Sequence, residues 1–347
     1  MKPKILFFTQ KIHEKDDDLA FTILWVDEMI RQGAEVRVIC LEKGVFDDHF
    51  PVYSLGKESG AGKMRQFFNF YRYILTLDYD RVFVHMNPVY ITLGGWYWYL
   101  RKVPMYLWYT HYTMHIHLWL SGVFCTRLFC ATKQSLPQYE GNTKKVVTGH
   151  GIDLGYWMKQ LAEVETNDIK AKKLSGKKLT NLLAVHRLCR SKRLDITIRA
   201  LKLLPEEYTL TVYGRDVEKD YVLELHRLVD ELGLSDRVTF MGPVPMADLI
   251  RIYGKFDVMV NMAGETIDKT MLEGMIFGLF PITTPDNSKA IGLPEWPISE
   301  KSEDLASFIH KESWSMYDRS FLTNIVEKSH SLSNLIKNVM VYIREGI

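Results

Sequence analysis

The sequence predicts an α/β fold of two Rossmann-like, doubly wound domains facing across a cleft. Two observations are of pattern and one is of length. Short apolar runs alternate with amphipathic helical patterns from the start of the chain. A polar, charged stretch at residues 159–178 breaks that alternation, which resumes at Leu179. The 347 residues, 47% of them hydrophobic, exceed what one compact core usually serves. The expected organisation is a first domain at 1–158, a linker at 159–178, a second domain at 179–318 and a helical tail at 319–347 that packs back toward the first domain.

Each element follows from its pattern. A strand at 4–8, a helix at about 19–32 stopped by Gly33, and a strand at 35–41 make a βαβ unit, whose right-handed crossover makes the sheet parallel. A helix at about 63–77 precedes a strand at 81–85, and further strands are expected at 105–110, 127–131 and 144–148. The second half repeats the plan. Strands at 179–184, 208–213, 237–241, 258–261 and 280–284 alternate with helices at about 194–204, 220–232, 246–253 and 269–278.

Composition excludes several classes. Lys and Arg total 44 against 42 Asp and Glu, and the net charge of +2 gives no global case for nucleic acid as partner. Cys40, Cys125, Cys130 and Cys189 form no close pair and read as reduced thiols of a cytoplasmic protein. The apolar run at 5–8 is too brief for a signal peptide, and no stretch reaches the roughly 18 to 20 apolar residues that cross a bilayer. Three motif look-alikes fail on spacing. Asp16, Asp17 and Asp18 stand too close to the first strand for a metal-holding acidic pair of a transferase and read as a solvated or acceptor-facing loop. Gly60 to Lys63 lacks the P-loop spacing. His111, His115 and His117 have no carboxylate or cysteine at metal-ligand spacing, so no metal is expected.

Two segments concentrate the chemistry. In the first, Glu265 and Glu273 bracket a loop that enters a helix after the strand ending at Asn261, with Asp268, Lys269 and Thr270 at the helix start. Such a start presents backbone N–H groups to an anion, as a diphosphate site requires. Glu273, one turn in, is placed to accept hydrogen bonds from vicinal ribose hydroxyls. In the second segment, Arg187 and Lys192 stand across a strand-to-helix turn, where two cations can converge on a pair of phosphates and stabilise a leaving group. Arg190 and Arg193 read as solvated.

Together these segments resemble the retaining glycosyltransferases of family 4, the GT-B-fold glycosyl transferases group 1. The landmarks run in that family's order: Arg187 with Lys192, Gly214 after the strand ending at Tyr213, Val238 to Gly242, Tyr253 before Asp257 and Val258, and the glutamate pair. The resemblance implies that Arg187 and Lys192 bind the donor diphosphate, Glu273 the ribose, Gly242 to Val244 the base, and Glu265 a hydroxyl of the donor sugar. It also makes Tyr109, Thr110 and His111 similar to the segment of the active-site histidine, and residues 149–153 similar to the turn ending the first domain. His111, Glu265, Arg187 and Lys192 are thus the expected catalytic residues, and Gly214, Gly242, Val244, Asp268, Lys269, Thr270 and Glu273 the expected donor-binding ones.

The implied reaction moves a sugar from a UDP- or GDP-type donor to an acceptor hydroxyl with retention, without metal or resident cofactor. The first domain holds the acceptor, a glycan or lipid-linked molecule of polysaccharide or glycolipid assembly. A nucleotide-sugar epimerase of the same fold, or a non-catalytic nucleotide-sugar-binding subunit, are the alternatives. The chain departs from the family where Thr266, Ile267 and Asp268 replace its usual glycines and aromatic, with Lys269 expected to offset Asp268. It departs again at 11–18, a charged loop in place of a glycine pair, so acceptor choice does not carry over. Aromatic residues interleaved with Lys63, Arg65 and Arg72, and again with Arg101 and Lys102, predict weak, salt-sensitive contact of the first domain with the inner membrane face, although most of these aromatics are expected in the core.

Overall fold

The structure is a computed structural model that describes residues 2–16, 19–164, 180–256, 258–264, 267–294, 300–311 and 317–346. The chain forms two compact units, residues 1–151 with 330–347 and residues 152–329. In the first unit β1 (Lys4–Ile12), α1 (Phe21–Arg31), β2 (Glu35–Lys43), β3 (Val52–Ser54), α2 (Lys63–Thr76), β4 (Arg81–His85), α3 (Val89–Leu100), β5 (Met105–Trp108), α4 (Ile116–Phe124), β6 (Arg127–Cys130) and β7 (Lys145–Val147) follow in order. The second contains α5 (Leu154–Val164), β8 (Asn181–Val185), α6 (Leu194–Leu203), β9 (Thr209–Tyr213), α7 (Lys219–Glu231), β10 (Val238–Gly242), α8 (Met246–Tyr253), β11 (Val258–Asn261), α9 (Lys269–Ile276), β12 (Phe280–Thr283), α10 (Pro285–Ile291), α11 (Ser302–Lys311) and α12 (Arg319–His330). The chain then returns to the first unit with α13 (Leu332–Glu345).

Both sheets are parallel and doubly wound. The first has the order β3-β2-β1-β4-β5-β6-β7 and the second β10-β9-β8-β11-β12, so each reverses direction beside its own first strand. Strand alternation sends Phe7, Val38 and Phe83 to one side of the first sheet and Leu6, Phe8 and Val84 to the other. The first side is covered by α1 and α13. Leu335, Ile336, Val339 and Ile343 of α13 are completely buried there, and Tyr106 Oη donates to the Tyr342 carbonyl at 2.9 Å. On the other side Phe70 and Ile74 of α2, Ile91 and Trp98 of α3 and Leu118 of α4 share one core.

The division falls at Gly151, earlier than the expected boundary at 158, because Ile152, Trp157 and Leu161 are buried in the second core. The expected tail also divides. Leu322 and Val326, four apart on α12, pack into the second core, whereas Ser331 caps α13 by accepting from Asn334 N and starts a stripe that belongs to the first. All four cysteines are free and buried.

Candidate functional site

The second sheet reverses between β8 and β11, where the adjacent loops leave in opposite directions, the ordinary place for a ligand in an open parallel sheet. After β8 come His186, Arg187 and a single 3-10 turn, Arg190–Lys192. Thr270 Oγ1 donates to the Val185 carbonyl at 2.8 Å and pins the first turn of α9 to the end of β8. A Cβ added at Gly214 would lie 1.8 Å from the His186 carbonyl oxygen, so only glycine lets the chain leave β9 there. Gly214 N donates to the Gly242 carbonyl at 2.8 Å, and Gly242 has φ +78° where the β10 register shifts.

Within this frame lies a chain of buried charge. Lys192, 5% exposed, pairs through Nζ with Asp268 Oδ1 at 2.6 Å. The other Asp268 oxygen accepts from Asn261 Nδ2 at 2.6 Å, and Asn261 Oδ1 accepts from Ala263 N at 2.9 Å. Asp268 therefore stands at the N-cap of α9 without capping it, both of its oxygens being engaged. Burial pushes its pKa up, but the charges of Lys192 and His186 with the bonds from Lys192 and Asn261 hold it below the usual carboxylate value. Burial lowers the His186 pKa, against the pull of Asp268.

One turn further, Glu273 accepts from Tyr253 Oη at 3.2 Å. Burial raises its pKa to about 7, opposed by Lys269 and Tyr253. Burial lowers Lys269 to about 7, opposed by Glu273, its neighbour one turn along α9. Arg187 differs from all of these. It is exposed, and its guanidinium makes no hydrogen bond or ion pair among the described residues.

The structure thus gathers Arg187, Lys192, Gly214, Gly242, Asp268, Lys269, Thr270 and Glu273 on the loops and helix start at the carboxyl end of the second sheet. Val244 is half-buried and packs on the core beyond β10. Glu265, with Thr266, Asp257, Asp17 and Asp18, lies outside the described residues. His111 belongs to the first unit, exposed in the loop after β5 with its ring edge-on to Tyr109 at 5.3 Å. Its neighbours have local tasks, His115 accepting from Leu118 N as the cap of α4 and His117 bonded to Thr92 Oγ1 at 2.9 Å. Among the described residues no three His, Cys, Asp or Glu side chains are placed to hold a metal.

Two expectations are corrected here. Asp268 is offset by Lys192 and Asn261, the first of them 76 residues away, where Lys269 was expected to do so. Arg193, expected in solvent, donates from Nε to the Met262 carbonyl at 2.7 Å and pairs with Glu300 at 2.5 Å, so it braces the end of β11. Arg190 remains exposed and pairs with Glu224 at 2.5 Å. Sequence reasoning missed Asn261 and the hydroxyl of Tyr253 as partners, for their contacts are tertiary and leave no local pattern.

Residues 165–290 match the family model described as glycosyl transferases group 1. Among curated proteins no sequence relative matches. The whole chain is similar in fold to several solved glycosyltransferases. It covers 99% of its own length and 100% of Anabaena HepE in complex with UDP-glucose, with a TM-score of 0.73 and 18% identity. For the sucrose-phosphate synthase of Thermosynechococcus elongatus the TM-score is 0.75 and the identity 15%, with 99% of each chain covered. For WaaG, a glycosyltransferase involved in lipopolysaccharide biosynthesis, they are 0.69 and 16%, with 98% of this chain and 99% of that one covered. The fold is the GT-B fold.

Proposed function

We propose that this chain, a group 1 glycosyltransferase across residues 165–290 and of the GT-B fold throughout, moves a sugar from a nucleotide-diphosphate donor to an acceptor hydroxyl with retention of configuration. What supports the reading is that Lys192, paired with Asp268, and the first turn of α9, pinned to the end of β8, meet at the reversal point of the second sheet, with Arg187 on the loop after β8. A diphosphate seated there meets helix N–H groups and two cations, which stabilise the negative charge gained as the bond from sugar C1 to phosphate breaks. The acceptor oxygen bonds to C1 from the same face, and its proton passes to the departing phosphate oxygen. No metal takes part in this scheme. Glu273 binds the ribose and Glu265 the donor sugar, while His111 serves the acceptor side. The UDP-glucose complex of HepE supports a uridine donor, with a GDP donor as the other arm of the test. The acceptor is a glycan or a lipid-linked molecule, and the surface described below supports the second.

Thermal unfolding in a panel of nucleoside diphosphates and their sugars tests the donor, because a ligand at about 100 times its Kd stabilises the folded state by about 2.7 kcal/mol. Release of free nucleoside diphosphate together with a glycosylated acceptor is the expected product pair. Stabilisation without that release would leave a binding subunit, and a changed sugar on intact donor would mean an epimerase.

A further inference from the structure

Among the described residues every exposed Phe, Tyr or Trp side chain sits on three neighbouring helices of the first unit: Phe67 and Phe68 on α2, Trp96 and Tyr99 on α3, and Trp119 on α4. The helices form one layer on one side of the first sheet. Tyr71 Oη of α2 donates to the Leu93 carbonyl at 2.8 Å, Trp96 Nε1 donates to Tyr71 Oη at 3.4 Å, and the Tyr99 and Phe124 rings join α3 to α4. Gly95 permits that last approach, since a Cβ on it would lie 2.9 Å from the Phe124 ring. The inward sides hold Phe70, Ile74, Trp98 and Leu118, so the exposed aromatics share the outward side of a layer whose core is already filled. Exposure of Trp96, Tyr99 and Trp119 lies between 50 and 65%.

Charge identifies the partner. Lys63, Arg65 and Arg72 lie on α2 and Arg101 and Lys102 follow α3, and no helix of the layer contains an acidic residue. Lys63, Arg65, Arg72, Arg101 and Lys102 are exposed and pair with no carboxylate among the described residues. A second copy docking on this face would set cation against cation, which opposes a symmetric dimer. No helix among the described residues is long and apolar enough to cross a membrane. We infer that the outward face of α2, α3 and α4 docks on a bilayer surface bearing anionic headgroups, its rings at the headgroup level and its cations among the phosphates. This inference stands apart from the donor site, which nucleotide binding in solution tests separately.

Flotation of the full chain with vesicles of phosphatidylcholine alone, or with about one third phosphatidylglycerol, tests it. Binding to the anionic vesicles at low salt, lost in about 0.5 M NaCl, is the expected result, since a Debye length of only about 4 Å remains at that ionic strength. Arg65→Gln/Arg72→Gln should weaken it roughly 30-fold, the equivalent of about 1 kcal/mol for each cation near an anionic surface. Phe68→Ser/Trp119→Ser should weaken it on both salt and lipid axes while leaving nucleotide binding and unfolding temperature unchanged, because both side chains are exposed. No binding at low salt, equal binding to neutral vesicles, or a concentration-dependent dimer abolished by the aromatic pair would each overturn the inference.

Discussion

The two units handle charge in opposite ways. At the end of the second sheet Lys192 is buried and Asp268 answers it at 2.6 Å, with Asn261 taking the remaining oxygen. Across the outer helices of the first unit the cations are exposed and no carboxylate answers them among the described residues. A buried ion pair costs desolvation that its attraction does not always repay, so its use is geometric: it fixes where one ammonium points. Exposed cations fix nothing and sum into a field that suits an extended partner. The difference separates a site for one small anion from a surface for many.

The sharpest way to break this contrast is to remove the compensated cation. Lys192→Ala leaves Asp268 without its charge partner and should cost about 3 kcal/mol of stability, the low end for a broken buried pair because Asn261 still holds Oδ2. Urea unfolding reads it, and wild-type stability would mean that Asp268 needs no partner. Arg187→Ala should do the reverse, lowering nucleoside diphosphate affinity by about one to two decades, or roughly 1.5 to 3 kcal/mol, with stability within about 0.5 kcal/mol of wild type. Calorimetry decides this, and unchanged affinity removes Arg187 from the site.

A smaller effect sharpens the comparison further. Asp268 competes with any bound anion for Lys192, so Asp268→Asn should tighten nucleoside diphosphate binding about fivefold, near 1 kcal/mol, while lowering the unfolding temperature. Weaker binding would show that Asp268 positions Lys192 more than it opposes the ligand.

A further expected effect is a curvature with pH. Glu273 is raised to about 7 in the folded state from 4.5, so the folded protein holds more protons between those values and the Glu273 contribution falls as pH rises through that window. Lys269 is lowered to about 7 from 10.5, so the unfolded chain holds more protons above 7 and stability recovers as pH rises. Wild type compared with Lys269→Met/Glu273→Gln across pH 5 to 10 should show a minimum near 7, and a flat difference would mean both groups ionise as they do in water.

Much of the parallel architecture was legible because buried strands and amphipathic helices carry their own periods. The strand at 258–261 and the helix at 246–253 coincide with β11 and α8, and α2 ends one residue from its expected limit. Helix α3 went unread for a physical reason: Val89–Leu100 is apolar and aromatic all round, so no polar face marks a period. The three-residue edge strand β3 is too short to show alternation. In the site, a helix beginning near Lys269 with Glu273 one turn in was readable, because caps and spacing are local. The Lys192 to Asp268 pair was not, because it depends on where two loops meet.

The path of the chain has a consequence for synthesis. The second unit is one continuous stretch, 152–329, whereas the first needs residues 330–346 to cover Ile5, Val38 and Phe83 with Leu335, Val339 and Ile343. On a ribosome adding roughly 5 to 20 residues per second, the second unit has its whole sequence before the first does, although its codons come later. Until α13 emerges, one side of the first sheet has only α1 as cover, and a message truncated near Ser331 would yield a complete second unit joined to a first unit with a partly open core.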